Sequence, residues 1–451
     1  MRPAHHPRFV RLVHQRGQAL IYGIFMMLAG LAALFFMFTT GQLVAEKTKL
    51  VNTADAVAYS AGVMHARALN FDAYTNRALM ANEVTIAQLV SISSWIDYAQ
   101  GHMEAVPPLN CTTQFSVPVA LGLLKYAPLC YAMAYPVAEP LIYATRRGID
   151  AAAPIVLRAS EAAKDNLQLS QITMFATLFL ARAQVMQEVA DANYRNDGKI
   201  EVDAIPLTDN WTLFDGGPFL RLYSGDERAR FRDAELDAAY KDDFVEQRSW
   251  SDRSPWASLG CVPPRGTATR TGATTLNGFD EWQANDNASL RVETMRGLIP
   301  RCRTVARYQL GSGNRVANRN ESTWHYSGVP GFFDLSSAAR AYGPDNVDPE
   351  KREPRLRFAI RLTRSKKEAP TSTGRSNIKP AGRLDIFEGK EASDVMAAVA
   401  TSEVFFDRPE ARSRGETELA STFNPFWQVR LVGNSAAVVA AAVALQAGGP
   451  N

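Results

Sequence analysis

From Ala19 to Phe38 the chain reads ALIYGIFMMLAGLAALFFMF, with only Gly23 and Gly30 interrupting the apolar side chains and no charge between Arg16 and Glu46. At 1.5 Å per residue, twenty such residues make a helix about 30 Å long, the thickness of a bilayer's hydrocarbon core. A cleaved secretory signal has a shorter apolar core of ~7–15 residues, and Thr39-Thr40-Gly41-Gln42 is a poor cleavage end. A helix buried in a soluble core is rarely apolar on every face. The pattern predicts a transmembrane helix over residues 19–45 behind a basic stub at 1–18.

No proline occurs between Pro7 and Pro107, so nothing forces that helix to stop at a bilayer surface. The alanine-rich stretch that follows carries a seam at Leu50, Ala54, Val57, Ala61, Met64, Ala68 and Phe71, spaced alternately four and three. That spacing predicts a long amphipathic helix over 46–105 packing along one stripe. Small residues on the stripe suit packing against copies or partner helices, and suit packing on the chain's own domain equally well.

Prolines recur between Pro107 and Pro154, which predicts short buried helices there, then a regular helix over 155–195. The apolar stretch 115–144 contains Lys125, Glu139 and four prolines and is not expected to span a bilayer. After Asn196-Asp197-Gly198 the period changes. In Arg355–Thr363, Leu356, Phe358, Ile360 and Leu362 alternate with mostly polar residues, the mark of a strand with one wet face. Further strands are expected at 291–295, 304–310 and 399–406. The fold class is therefore α+β: a helical region over 106–200, a mostly antiparallel β-rich region over 201–430, and an uncharged alanine-rich tail over 431–451.

Charge refines the topology. The 451 residues carry a net charge of +3, yet residues 1–45 hold four arginines and no acid, which leaves 45 basic against 46 acidic groups elsewhere. An excess confined to the N-terminus argues against a globally basic nucleic-acid binder. By the positive-inside rule it places the N-terminus in the cytoplasm and the bulk outside. A second excess is local: residues 351–379 contain ten basic and two acidic side chains. Its strand arginines Arg355, Arg357, Arg361 and Arg364 form a candidate anion-binding face.

Sequence signatures of catalysis are missing. There is no phosphate-binding glycine loop, nucleophile elbow or HExxH helix. His65, His102 and His325 lack metal-like spacing, Asn193–Gly198 reads as a turn, and Asp334-Leu335-Ser336-Ser337-Ala338 has alanine where an adhesion motif needs serine. No cofactor, metal, catalytic residue or small-molecule substrate is expected. Cys111, Cys130, Cys261 and Cys302 form no CxxC pair. On the outer side of a membrane they are disulfide candidates, with pairing in sequence order favoured because each pair lies within one region.

Arg16-Gly17-Gln18-Ala19, the apolar span, and then Lys49-Leu-Val-Asn-Thr-Ala-Asp-Ala-Val-Ala-Tyr-Ser-Ala-Gly62 together resemble the TadE/TadG-like family of tight-adherence (Flp) pilus-assembly proteins. The likeness covers about residues 15–65. Tyr22 stands five residues after Gly17, where prepilins carry glutamate. The resemblance implies a non-enzymatic minor pilin or pseudopilin-like component, single-pass in the inner membrane. Its partners would be the lipid bilayer and other pilus-assembly or pilin-like proteins met through the N-terminal helix, with no specific nucleic acid. The alternative is a membrane-anchored periplasmic binding or adhesion module that recognises an anionic envelope polymer through the basic strand.

Overall fold

The structure, a computed structural model, describes residues 18–111, 138–254, 261–262, 264–297, 301–365, 395–409 and 418–447. The basic stub short of Gln18, the stretch 112–137 with Cys130, the side chain of Cys111 and the basic run beyond Ser365 lie outside the described residues.

Helix α1 runs unbroken from Gln18 to Cys111, 94 residues. The apolar span and the heptad seam are thus one helix, as the absence of proline allows. Helix α2, Ala138–Asn193, returns alongside it. It passes straight through Pro154, where shorter helices were expected. Ala153 and Leu157 on either side are buried with Ile86 and Val90 of α1, and this packing outweighs the local cost of the proline.

The remaining chain forms three antiparallel sheets over the helix pair. Strands β1 (Glu201–Ala204), β8 (Leu356–Ser365), β9 (Val395–Phe406) and β10 (Trp427–Val432) make the first, in the order β1-β8-β9-β10. Strands β2 (Leu220–Tyr223) and β7 (Phe332–Leu335) make a small second one. Strands β3 (Arg248–Ser254), β4 (Arg265–Asn277), β5 (Glu281–Arg296) and β6 (Arg301–Asn318) make a meander. Helix α3 (Ala229–Ala239), the single turn α4 (Ser337–Arg340) and α5 (Ala436–Ala447) complete the α-helices among the described residues.

The core follows α1. Leu50, Ala54, Val57 and Ala61 pack with Met186 and Ala190 of α2 and with Phe358, Ile360 and Leu362 of β8. Ala66, Ala68 and Leu69 meet Leu178, Trp211, Phe333 and Trp427. Ile86, Ala87 and Val90 cover Trp282 and Ala317, and Tyr98 covers Leu290 and Val292. A single helix therefore serves as the common floor of the first sheet and the meander, and burial of its stripe supplies the stability that the alanine-rich sequence lacks by itself.

Candidate functional site

The N-terminal part of α1 is exposed. Leu20, Phe25, Met37 and Phe38 are all exposed, and charge returns only at Glu46. Among the described residues this is the one helix long and apolar enough to cross a membrane. A helix apolar on every face and exposed on every face is matched to hydrocarbon rather than to water.

Where this span meets the domain, a charged cluster clamps it. Arg364 of β8, with a fully buried side chain, hydrogen-bonds Glu46 of α1 and reaches Asp197 at 3.1 Å. Lys49 donates to the same Asp197. Both cations also face the Tyr194 ring, at 4.2 Å for Lys49 and 4.6 Å for Arg364. Burial, and then the nearby Glu46 charge, push the Tyr194 hydroxyl up to about 12, so it stays neutral. Burial raises Asp197, but hydrogen bonds from Arg364 and Lys49 outweigh it and hold the carboxyl below its ordinary range. The Asn193–Gly198 segment is a turn, with Asn196 and Gly198 at positive φ of 62° and 82°, and it aims Asp197 at this cluster.

The seam points inward. Leu50, Ala54, Val57, Ala61 and Ala68 are buried in the chain's own core, and Met64 and Phe71 are partly buried. From Leu50 onward the stripe is therefore occupied, and a partner helix meeting α1 on its apolar side has only the stretch before Glu46. Spacing alone left both arrangements open; β8, β9 and α2 close one of them.

The strand arginines do not make a free basic face. Arg355 lies 3.4 Å from Glu353, Arg357 2.7 Å from the buried Glu403, and Arg361 2.9 Å from Asp203, while Arg364 serves the clamp. Glu403 also takes Arg430 at 2.5 Å. Burial raises this carboxyl, but its two guanidinium partners bring it below its ordinary range.

Cys261 and Cys302 are joined, with Cα atoms 5.6 Å apart. His65 is buried against Trp211 and lies 2.7 Å from Arg182, which in turn pairs with Asp209 at 2.7 Å. Burial first, then the Arg182 charge, hold His65 well below the usual imidazole range. His102 lies 2.7 Å from the Leu310 carbonyl oxygen. Ser336 caps α4, and Asp334 accepts from Arg230 at 2.6 Å and from Thr422 at 2.7 Å, so the adhesion-like string is a helix cap with a buried ion pair. No group of three or more potential metal-ligating side chains occurs among the described residues.

Sequence reading missed a buried acid network. Lys164 of α2 lies 2.5 Å from Glu83 of α1, 2.7 Å from Glu161 and 3.1 Å from the Gly328 carbonyl oxygen. Tyr326 donates to Glu83 at 2.7 Å. Glu235 of α3 joins them: burial, then the Glu83 charge, raise its carboxyl well above the ordinary range, and in its neutral form it hydrogen-bonds Glu83. Asp72 is raised in the same way, by burial and then by Asp334. No signal marked these acids, because a lone carboxylate on an alanine-rich helix reads as solvent-facing.

An open cleft of about 760 Å³ lies at the far end of β8 and β9, lined by Arg230, Arg340, Tyr342, Arg352 and Phe406 among others. Two of its arginines, Arg230 and Arg408, already pair with Asp334 and Glu418.

An apolar helix continuous with a folded domain, and clamped to it by buried charge, is long and apolar enough to serve as a membrane anchor. Residues 17–68, which comprise the span, the clamp residues of α1 and the seam from Leu50 to Ala68, match the family model Tad, described as Flp pilus-assembly TadE/G-like. No curated protein and no solved structure matches the chain.

Proposed function

We propose that the protein is a non-enzymatic component of Flp/Tad-type pilus assembly, minor-pilin or pseudopilin-like. It is anchored in the inner membrane by residues 19–38 with the N-terminus cytoplasmic and residues 46–447 in the periplasm. The observation that carries this reading is the coincidence of the family match with the exposed span and its clamp. The four N-terminal arginines support the orientation. Because the seam is occupied internally, contacts with other pilus proteins fall to the span itself and to the domain surface. For the alternative, an anion-binding module, no observation speaks, since each strand arginine has a carboxylate partner.

Deleting the gene should abolish or reduce surface pili, and the full chain should restore them where a chain lacking residues 19–38 does not. Normal piliation in the deletion strain would sink the assembly role. Alkaline phosphatase fused after residue 200 should be active; activity of a cytoplasm-only reporter at that point would reverse the orientation.

A further inference from the structure

The arginines of β8 are all matched by carboxylates, and so are those of the meander where its sheet meets α1. There Arg248 and Arg270 share the buried Asp286, and Arg315 pairs with Asp97. The opposite, outward face of the meander is different. Arg253 of β3, Thr267 of β4, Arg291 of β5 and Arg307 of β6 stand side by side in one cross-strand row, exposed or half-buried. Arg291 and Arg307 are directly opposite each other, and like charges so placed cost stability. Glu293, two residues along β5, takes Arg291 at 3.3 Å but also Arg265 at 2.7 Å. Among the described residues, Arg253 and Arg307 have no ion-pair partner. Register shifts between Ala288 and Ser289 and between Val292 and Glu293 bracket the row. Bulges of this kind re-aim side chains and gather beside functional sites.

The adjoining row is Ser251, Thr269, Ser289 and Gln309, with the Thr269 and Ser289 hydroxyls 3.0 Å apart. A wet sheet face accounts for hydroxyls and amides by itself. It does not account for three arginines in one row with two of them opposed. Any bilayer holding residues 19–38 is out of reach, because Leu290 and Leu310 beneath this face pack on Tyr98, about 90 Å along α1 from Phe38. Protein interfaces centre on apolar and aromatic anchors, and single-stranded nucleic acids stack on aromatic platforms; the two rows hold neither kind of side chain. They present guanidinium forks, which suit carboxylate or phosphate, beside short hydroxyl and amide groups that hydrogen-bond a polyol. We propose that this face binds an anionic polysaccharide, its acidic groups on Arg253, Arg291 and Arg307 and its sugar hydroxyls along Ser251, Thr269 and Gln309. The inference does not rest on the pilus reading, which stands or falls on piliation.

The test uses the full chain in a polyoxyethylene detergent, which brings no sugar of its own. Polygalacturonate serves as the carboxylate probe and phosphomannan as the phosphate probe, against neutral dextran, poly-L-glutamate and duplex DNA. One or both acidic polysaccharides should bind, and more weakly as salt rises; which of them binds separates carboxylate from phosphate. Arg253→Gln/Arg307→Gln should lower that affinity about tenfold or more, the scale of a lost charged hydrogen bond. Its thermal midpoint should equal or exceed the parent's, since the opposed charges are relieved, so lost binding is not lost fold. Ser251→Ala/Thr269→Val should weaken polysaccharide binding with the arginines intact. Arg147→Gln/Arg158→Gln removes the same charge from exposed positions of α2 and should leave binding unchanged. The inference is overturned if neither acidic polysaccharide binds, or if the α2 variant loses as much affinity as the β3/β6 variant. It is equally overturned if dextran, poly-L-glutamate or DNA binds as tightly as the acidic polysaccharides.

Discussion

Gly313 of β6 lies directly against the backbone of α1 at Ser94. A Cβ built on it would stand 2.8 Å from the Tyr98 amide nitrogen and closer still to the Ser94 carbonyl oxygen. Backbone cannot move aside as a flexible side chain does. Gly313→Ala should therefore push the meander off α1 and cost roughly 1–3 kcal/mol or more. Gly343→Ala, where a Cβ meets open space, should change stability by no more than about 0.5 kcal/mol. Thermal unfolding in detergent compares the two. Equal midpoints would mean that β6 does not dock as described.

Ala61 tests the seam. It is fully buried in the cluster with Phe358 and Ile360, so Ala61→Glu forces a carboxylate into a close-packed apolar cluster. The cost should be several kcal/mol. Full-length protein should be lost from cells by proteolysis, not merely uncoupled from partners. Asn52→Asp, on the exposed side of α1, should leave the level unchanged. Normal amounts of a folded Ala61→Glu chain would show that the seam faces outward.

Arg364→Ala should cost about 1.5–3 kcal/mol, because it removes charged hydrogen bonds to both Glu46 and Asp197. The effect depends on pH. Asp197 titrates below its ordinary 3.8 in the folded chain, so its contribution is present above that value and fades as pH falls through the lowered folded value. Unfolding midpoints of parent and variant should therefore converge toward the acid end. A gap that persists there would place the stabilisation elsewhere.

Glu235 carries the opposite sign. Its carboxyl binds a proton more tightly folded than unfolded, so stability should decline as pH rises from its ordinary 4.5 toward the raised folded value. Glu235→Gln keeps a hydrogen-bond donor for Glu83 without the ionisable proton. The variant should be more stable than the parent at neutral pH and should flatten the slope over that window. Urea midpoints at several pH values measure both.

Converting Cys261 and Cys302 to serine opens a closure spanning 41 residues, which on the chain-entropy estimate costs about 4 kcal/mol. Calorimetry of the double variant against the parent reads it directly, and an unchanged midpoint would mean that the bridge constrains nothing.

Legibility followed the range of the forces involved. The apolar span needs only its own length to declare itself, and the alternation of Leu356, Phe358, Ile360 and Leu362 announces β8 without reference to any partner. The seam announced a packed stripe but not what packs on it, since Ala54, Ala61 and Ala68 fit any close neighbour. Arg357, Arg361 and Arg364 read as a basic patch because their partners Glu403, Asp203 and Glu46 lie 46, 158 and 318 positions away. Pro154 misled in the other direction: its local cost is real, but Leu157 buried on α1 outweighs it. Glu83, Asp72 and Glu235 were silent because burial, not residue type, gives them their character.

The uninterrupted course of α1 has a mechanical consequence. From Gln18 to Cys111 it measures about 140 Å, of which about 100 Å lies beyond Glu46. With no hinge between hydrocarbon and domain, the protein is a lever whose fulcrum is the bilayer surface. A tilt of ~10° in the short arm displaces the far end by about 17 Å on these helix dimensions. Force applied within the membrane plane is thereby delivered, amplified in distance, to the outermost end of the domain.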